Sequence, residues 1–375
     1  GNISLREITI MRKILLTTTA LVALGSVSAV AADVSVSGNM RFRYNTWSDD
    51  NPQVDGENNN AMANIMQLWV TSSDTTDNGL SIGTNTRIRR AGNIDRNWID
   101  IDGEFGSLDL GQQWSLSYSQ SLHELWMGTV AGGVYMGGSD NGEAVTARDS
   151  VAVQASRTTA VTSRAAAAAT NLAAMNSSGF IGGSTANKIN YSLPSIAGLN
   201  IAIGYGDAGA LSDADETTMS ARYAMPFASG NVTLNYASIS TDAATPLGVE
   251  SFGRETGIQY SADFGRVYFI NQNVSTEALN GAKANDQEGT TIGGQYNLDS
   301  ASRMVYYRQK VEQDGTTNNG DEFSSDTVGY RYDMAGGLRI GLLHTNYDFT
   351  DSDLQAATNA DDDGSATRLE IRVDF

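Results

Sequence analysis

Three pairs of arginines, Arg41 with Arg43, Arg87 with Arg89 and Arg368 with Arg372, stand two or four residues apart in the chain. In extended backbone, side chains alternate between faces, so the members of each pair share a face. A row of guanidinium groups makes and breaks no bond, but it can orient water and act on passing charge. The counter-charges fall in one long segment, 115–185, which carries Glu124, Asp140, Glu143 and Asp149. Set against the arginines across a water-filled passage, these acids would complete a transverse field that favours polar solutes and makes apolar ones costly to admit. The expected chemistry is electrostatic filtering.

Other chemistries find less material. The chain has 2 His (His123 and His344) and 0 Cys, so thiol and disulfide chemistry are excluded. A lipid-hydrolysing triad would need a Ser and an orienting residue beside His344 at a membrane rim, and the sequence offers no such constellation; no enzymatic activity is expected. Asn359 to Gly364, followed by Glu370, has the spacing of an EF-hand loop with Asn in the leading place. Such a loop needs flanking helices, whereas Glu370 lies in an alternating run. Weak surface Ca²⁺ binding is the most it supports, and no other cofactor is expected. A formal net charge of −19 excludes nucleic acid as a partner.

The elements that would hold these residues are strands. At the C-terminus, Thr367 to Phe375 alternates so that Leu369, Ile371, Val373 and Phe375 share one face and the charges share the other. Sixteen segments of this period recur: 34–45, 61–73, 79–90, 95–103, 106–114, 186–193, 198–206, 216–225, 230–241, 254–262, 265–276, 288–298, 301–312, 325–334, 337–349 and 366–375. Tight connections such as Gly103-Glu104-Phe105, Ser195-Ile196-Ala197, Ala228-Ser229, Asp263-Phe264 and Ala335-Gly336 interleave with longer polar ones. Short turns on one rim and long loops on the other describe an outer-membrane β-barrel. An Arg or Lys at the lipid midplane of such a barrel costs about 2 to 4 kcal/mol, so charged positions are assigned to the lumen. Val34, Val36, Met40, Phe42 and Tyr44 then face lipid while Asn39, Arg41 and Arg43 face inward; Leu80, Ile82 and Ile88 face outward with Arg87 and Arg89 inward. Leu199, Ile201, Ile203 and Tyr205 face outward with Asn200 and Gly204 inward, whereas Arg266 to Val274 fits neither register cleanly. Tyr44, Tyr205, Tyr223, Tyr236, Tyr260, Tyr296, Tyr330, Tyr332 and Phe375 stand near lipid-side strand ends, where amphipathic rings favour the headgroup level. Unpaired backbone is not tolerated in hydrocarbon, so the last strand must pair with the first.

Residues 1–31 read as upstream residues and a cleaved export signal: Met11-Arg12-Lys13 is a basic start, Ile14 to Val27 a short apolar core and Ala29-Val30-Ala31 a cleavage pattern. Residues 32–375 would be the barrel, and no later apolar run is long enough for a membrane helix.

Asn97 to Gly111 resembles the strand-turn-strand that precedes the constriction loop of Gram-negative general-diffusion porins, and Asn190 to Pro194 with Ala197-Gly198-Leu199 resembles the hairpin that follows it. With the export signal, the opening Val34 to Gly38 strand and the closing aromatic, the likeness spans the exported chain. It implies an all-β fold, a sixteen-stranded antiparallel transmembrane barrel, in the outer membrane of a Gram-negative bacterium. It also implies a homotrimer surrounded by outer-membrane lipid, passing ions and small hydrophilic solutes, with a long third loop, here 115–185, folded into the lumen. Two departures stand out: the Pro-Glu-Phe-Gly-Gly stretch of enterobacterial constriction loops is absent, and the second long loop, 91–94, is brief. Acids at Asp49, Asp50, Asp55, Glu57, Asp213, Asp215, Glu216, Asp351, Asp353 and Asp361 to Asp363 fall toward the long loops and predict a modest cation preference. Two alternatives share this fold: a solute-selective channel in which Trp114, Tyr118, Trp126 and Tyr135 form a binding track, and a plugged structural or adhesive barrel.

Overall fold

The computed structural model describes residues 33–49, 60–89, 92, 94–116, 122, 186–207, 215–241, 249–278, 283–315, 320–350 and 361–375. Sixteen strands run through them: β1 (Asp33–Asp49), β2 (Asn60–Thr75), β3 (Ser81–Arg89), β4 (Ile94–Gly103), β5 (Gly106–Gln113), β6 (Ala186–Ser192), β7 (Leu199–Asp207), β8 (Asp215–Phe227), β9 (Gly230–Thr241), β10 (Val249–Ala262), β11 (Gly265–Ala278), β12 (Lys283–Asn297), β13 (Ser302–Gly315), β14 (Asp321–Asp333), β15 (Leu338–Thr350) and β16 (Asp361–Asp374). Each pairs antiparallel with its sequence neighbours, and β16 pairs with β1 from Asn39↔Asp374 to Asp49↔Gly364, closing the barrel. The seam ends in reciprocal hydrogen bonds: Gly38 N–H donates to Phe375 O at 2.8 Å and Phe375 N–H to Gly38 O at 3.0 Å. Closure leaves no edge to satisfy in hydrocarbon.

Every segment that alternation predicts is a strand. Val34, Val36, Met40 and Phe42 stand exposed on the outer face while Asn39 and Arg43 are buried inside. Leu80, expected to face lipid, is buried instead, its side chain lying over Gly103 beside the Phe105 ring at the neighbouring tight turn. Around that rim the aromatic girdle is present: Tyr296, Tyr332 and Phe375 are exposed, and Phe227, Tyr260 and Phe264 pack with ring centroids 6.3 and 6.0 Å apart. Gly265 follows the two-residue turn Asp263-Phe264 at φ 129°, and a Cβ there would lie 2.0 Å from Gln295 O. Only glycine fits.

Two exceptions to the charge-inward rule have physical causes. On β11, Arg266, Tyr268, Ile270 and Gln272 alternate inward, so an apolar pair faces the lumen; Tyr268 and Ile270 are covered by Leu122 and Tyr307. That is why this segment obeys no simple polarity alternation. On β12 to β14, Glu288, Arg308, Lys310, Glu312 and Asp326 stand on the outer face, correcting the assignment of all charges to the lumen. They lie in the middle and loop-side parts of their strands, and most have polar partners there: Lys310 Nζ lies 2.7 Å from Glu312 and 3.2 Å from Glu322, Tyr306 donates to Asp326 at 2.7 Å, and Asn271 donates to Glu288 at 3.2 Å. The cost of an outward charge falls with distance from the bilayer midplane, and long side chains reach toward the headgroups.

Candidate functional site: the lumen wall

All six arginines singled out from the sequence face inward. Arg41 and Arg43 on β1 stand beside Arg372 and Glu370 on β16, while Arg368 lies across from Asn45. Arg43 is buried and pairs through Nε with Glu370. Arg368 is 1% exposed, at the same wall. Arg41 Nε donates to Asn39 Oδ1 at 2.8 Å, and Arg372 Nε to Asp374 at 2.6 Å. Two strands away, Arg87 and Arg89 converge on Asp95: Arg87 Nε donates at 2.8 Å and Arg89 Nε lies 2.6 Å from the same carboxylate. A register shift between Arg87 and Ile88 in the β3–β4 pairing places Asp95 there. Arg87 lies 5.5 Å from the centre of the Trp69 ring and 5.4 Å from that of Trp114, and Arg96 stacks over Trp114. Arg87 and Arg96 are both buried, and guanidinium groups held on indole faces keep a fixed orientation within the wall.

The expected acidic partners on the third loop, Glu124, Asp140, Glu143 and Asp149, lie outside the described residues, as do Tyr118, Trp126, Tyr135 and the leader. Three residues of segment 115–185 are described, and all sit against the inner wall. Ser115 Oγ donates to Glu216 on β8 at 2.5 Å, and Leu116 lies over Gly204 on β7. Leu122 sits further round the inner wall, against β10, β11 and β13. Its N–H donates to Glu255 Oε1 at 3.1 Å, and its side chain seats on Gly257 of β10 among Tyr268, Ile270 and Tyr307. Glu255, 0% exposed, also accepts from Asn235 at 3.2 Å and from Gln272 at 2.9 Å. A buried carboxylate with three donors is satisfied, and it fixes a loop residue inside the barrel.

Some lumen charges escape the sequence reading. Glu216, expected near the outer loops, is inside, held by Lys188 of β6 at 2.5 Å. Near the tight-turn rim, Arg266, Arg303, Arg331, Arg339 and Arg372 each lie within three residues of a strand end. They form an arc over β11 to β16, with Gln295 of β12 accepting from Arg266 at 3.3 Å. At the same rim Asp100 and Asp102 on β4 and Asp109 on β5 face inward, Asp100 directly across from Asp109. In a ring of sixteen, β5 and β13 stand diametrically opposite. The wall alone thus builds a transverse arrangement of basic against acidic groups. Arg331 between Tyr330 and Tyr332, and Arg339 between Leu338 and Ile340, carried the same signal as Arg41. Applying the alternation to every strand would have found them.

His344 faces outward, with Nδ1 2.8 Å from Thr367 Oγ1. Among the described residues no group of three His, Cys, Asp or Glu side chains is placed to hold a metal ion. Asp361 to Asp363 open strand β16, and Glu370 of the EF-hand-like spacing is turned inward onto Arg43.

An edgeless barrel, apolar outside and lined with arginines and carboxylates, defines a transmembrane channel of the outer-membrane type. The sequence profile of the Gram-negative porin family matches residues 17–355; the chain belongs to that family and is an outer-membrane protein. OmpT, an outer membrane protein of Vibrio cholerae in its trimer form, shares the fold at a TM-score of 0.63 and 13% identity over 92% of this chain and 100% of that one. The anion-selective porin from Comamonas acidovorans does so at 0.63 and 13% over 92% and 100%. No curated protein matches in sequence.

Proposed function

We propose that the chain forms a water-filled channel for passive diffusion of ions and small hydrophilic solutes, sieved by the segment between β5 and β6 and by an electric field across the lumen. The observation that carries this reading is the inward set of arginines on β1, β3, β11 and β13 to β16 with carboxylates on β4 and β5 across from the last arc. Such a field orders water and raises the barrier for apolar solutes. Leu122 against the inner face of β10 and β11 supports a third loop that enters the lumen, where Glu124, Asp140, Glu143 and Asp149 would face the arginines of β1 and β3. The net charge of −19 supports a mild cation preference that weakens as salt screens it. Assembly as a homotrimer is supported by the family and by the trimer form of OmpT. The channel has no catalytic step.

Conductance in planar bilayers tests the reading. A KCl gradient is expected to give a reversal potential favouring K⁺, and neutralising Arg41 and Arg87 together (Arg41→Gln with Arg87→Gln) should shift conductance or ion preference. Non-conducting folded protein would overturn the channel, and unchanged values in the double variant would remove these arginines from the filter.

A further inference from the structure

Three guanidinium groups from three adjacent strands converge on one carboxylate near the tight-turn rim. Arg331 donates to Asp333 through Nε at 2.7 Å and through its terminal nitrogen at 2.8 Å. Arg339 Nε donates to the same oxygen at 2.8 Å, and a terminal nitrogen of Arg303 lies 3.3 Å from the other. Next to them Asp374 accepts from Arg372 at 2.6 Å and lies 3.6 Å from Arg339. With Arg266, whose terminal nitrogen lies 3.3 Å from Gln295 on the strand between β11 and β13, the arc holds five cationic side chains against two carboxylates. The cluster is open to lumen water: the side chains of Arg303 and Arg339 are 30% and 22% exposed.

A single carboxylate does not neutralise three guanidinium groups, and each guanidinium presents five N–H donors in a plane suited to bidentate oxyanion contact. Strands fix the positions of all the donors, so a solute anion would meet a preformed site. Tight turns mark the periplasmic rim of such barrels. We propose that this arc is a binding site for small oxyanions, phosphate and carboxylate-bearing solutes, at the periplasmic mouth of the lumen. Asp333 and Asp374 hold the arginines in place, and the excess positive charge holds the solute beside them. The site would give a chain of strongly negative net charge a local station for anions.

The test uses inorganic phosphate with the full-length folded protein. Two readouts separate this site from the channel reading on which it rests: equilibrium binding of phosphate to the folded protein in detergent, and reduction of single-channel current by phosphate added at the tight-turn side. Both are expected to saturate at a common concentration. Arg303→Gln with Arg339→Gln should weaken both by about tenfold or more, since charged hydrogen bonds are lost. Asp333→Asn keeps an acceptor of the same shape among the arginines while removing the competing negative charge, so it should change them in the opposite direction, toward tighter binding. Phosphate that neither binds nor alters current, or a double variant that behaves as the wild type, overturns the site. Binding without conductance would refute the channel and leave the site standing.

Discussion

Leu122→Ala is the substitution whose consequence follows most directly from the geometry. The Leu122 side chain is 0% exposed and fills the space between Gly257, Tyr268, Ile270 and Tyr307 on the inner faces of β10, β11 and β13. Truncating a leucine so enclosed removes about 2 to 5 kcal/mol, part transfer energy and part cavity. At about 1.4 kcal/mol per tenfold, the ratio of seated to unseated segment falls by about 30-fold to several thousand-fold. The Leu122 N–H bond to Glu255 remains, so the variant isolates the packing contribution. Gly257→Val acts from the other side: a Cβ at Gly257 lies 2.6 Å from Leu122 Cδ1, so added bulk must displace the leucine. Single-channel recording is the assay, with outward-facing Leu342→Ala as the control for general effects on the barrel. Both lumen variants are expected to change conductance and increase open-channel noise while the barrel stays folded. If Leu122→Ala and Gly257→Val conduct with the amplitude and noise of the wild type, the seating of this segment does not shape the passage, and the reasoning fails.

Further outcomes follow from single contacts. The Arg43 and Glu370 side chains are 5% and 2% exposed, so Arg43→Met alone or Glu370→Gln alone should destabilise by about 3 to 5 kcal/mol, and both together by much less; a double-mutant cycle of denaturant unfolding reads the coupling, and strict additivity would refute it. At the turn between β12 and β13, Asp299 accepts from the N–H groups of Ala301 and Ser302, each at 2.7 Å, which hold its carboxyl below the ordinary value. With a depressed folded value, the contribution to the turn is complete above the ordinary carboxylate pKa and is lost as pH falls through the folded value. The protection of the Ala301 and Ser302 amides, their exchange taken relative to the intrinsic rate at each pH, should therefore fall in acid, and Asp299→Ala should abolish that pH dependence.

The barrel was legible because lipid outside and water inside impose opposite demands on successive residues. Where that contrast fades, so did the reading. The loop-side ends of β10, β12, β14 and β16 extend four or five residues beyond their alternating segments, into stretches such as Lys283 to Gln287 and Asp361 to Ser365 that are polar on both faces. Above the hydrocarbon, the outer face gains nothing from apolar side chains. On β11 the opposite happened: Ile270 faces inward because Leu122 covers it, a contact between residues far apart in sequence that no local pattern reveals. The arginine pairs of β1 and β3 could be placed from spacing alone. Their actual neutralisers could not, because Asp95 depends on an irregularity in the β3–β4 pairing and Glu370 on the closing seam.

The most direct test of the two-faced wall uses the absence of native cysteine, since the chain has 0 Cys. Single cysteines at Asp102 and Asn200, inward and exposed, and at Ile99 and Ile203, outward and exposed, report which solvent each face meets. In proteoliposomes, a water-soluble, membrane-impermeant thiol reagent should modify Asp102→Cys and Asn200→Cys and leave Ile99→Cys and Ile203→Cys unmodified. Equal reaction at all four positions would contradict a lipid-facing exterior around an aqueous lumen.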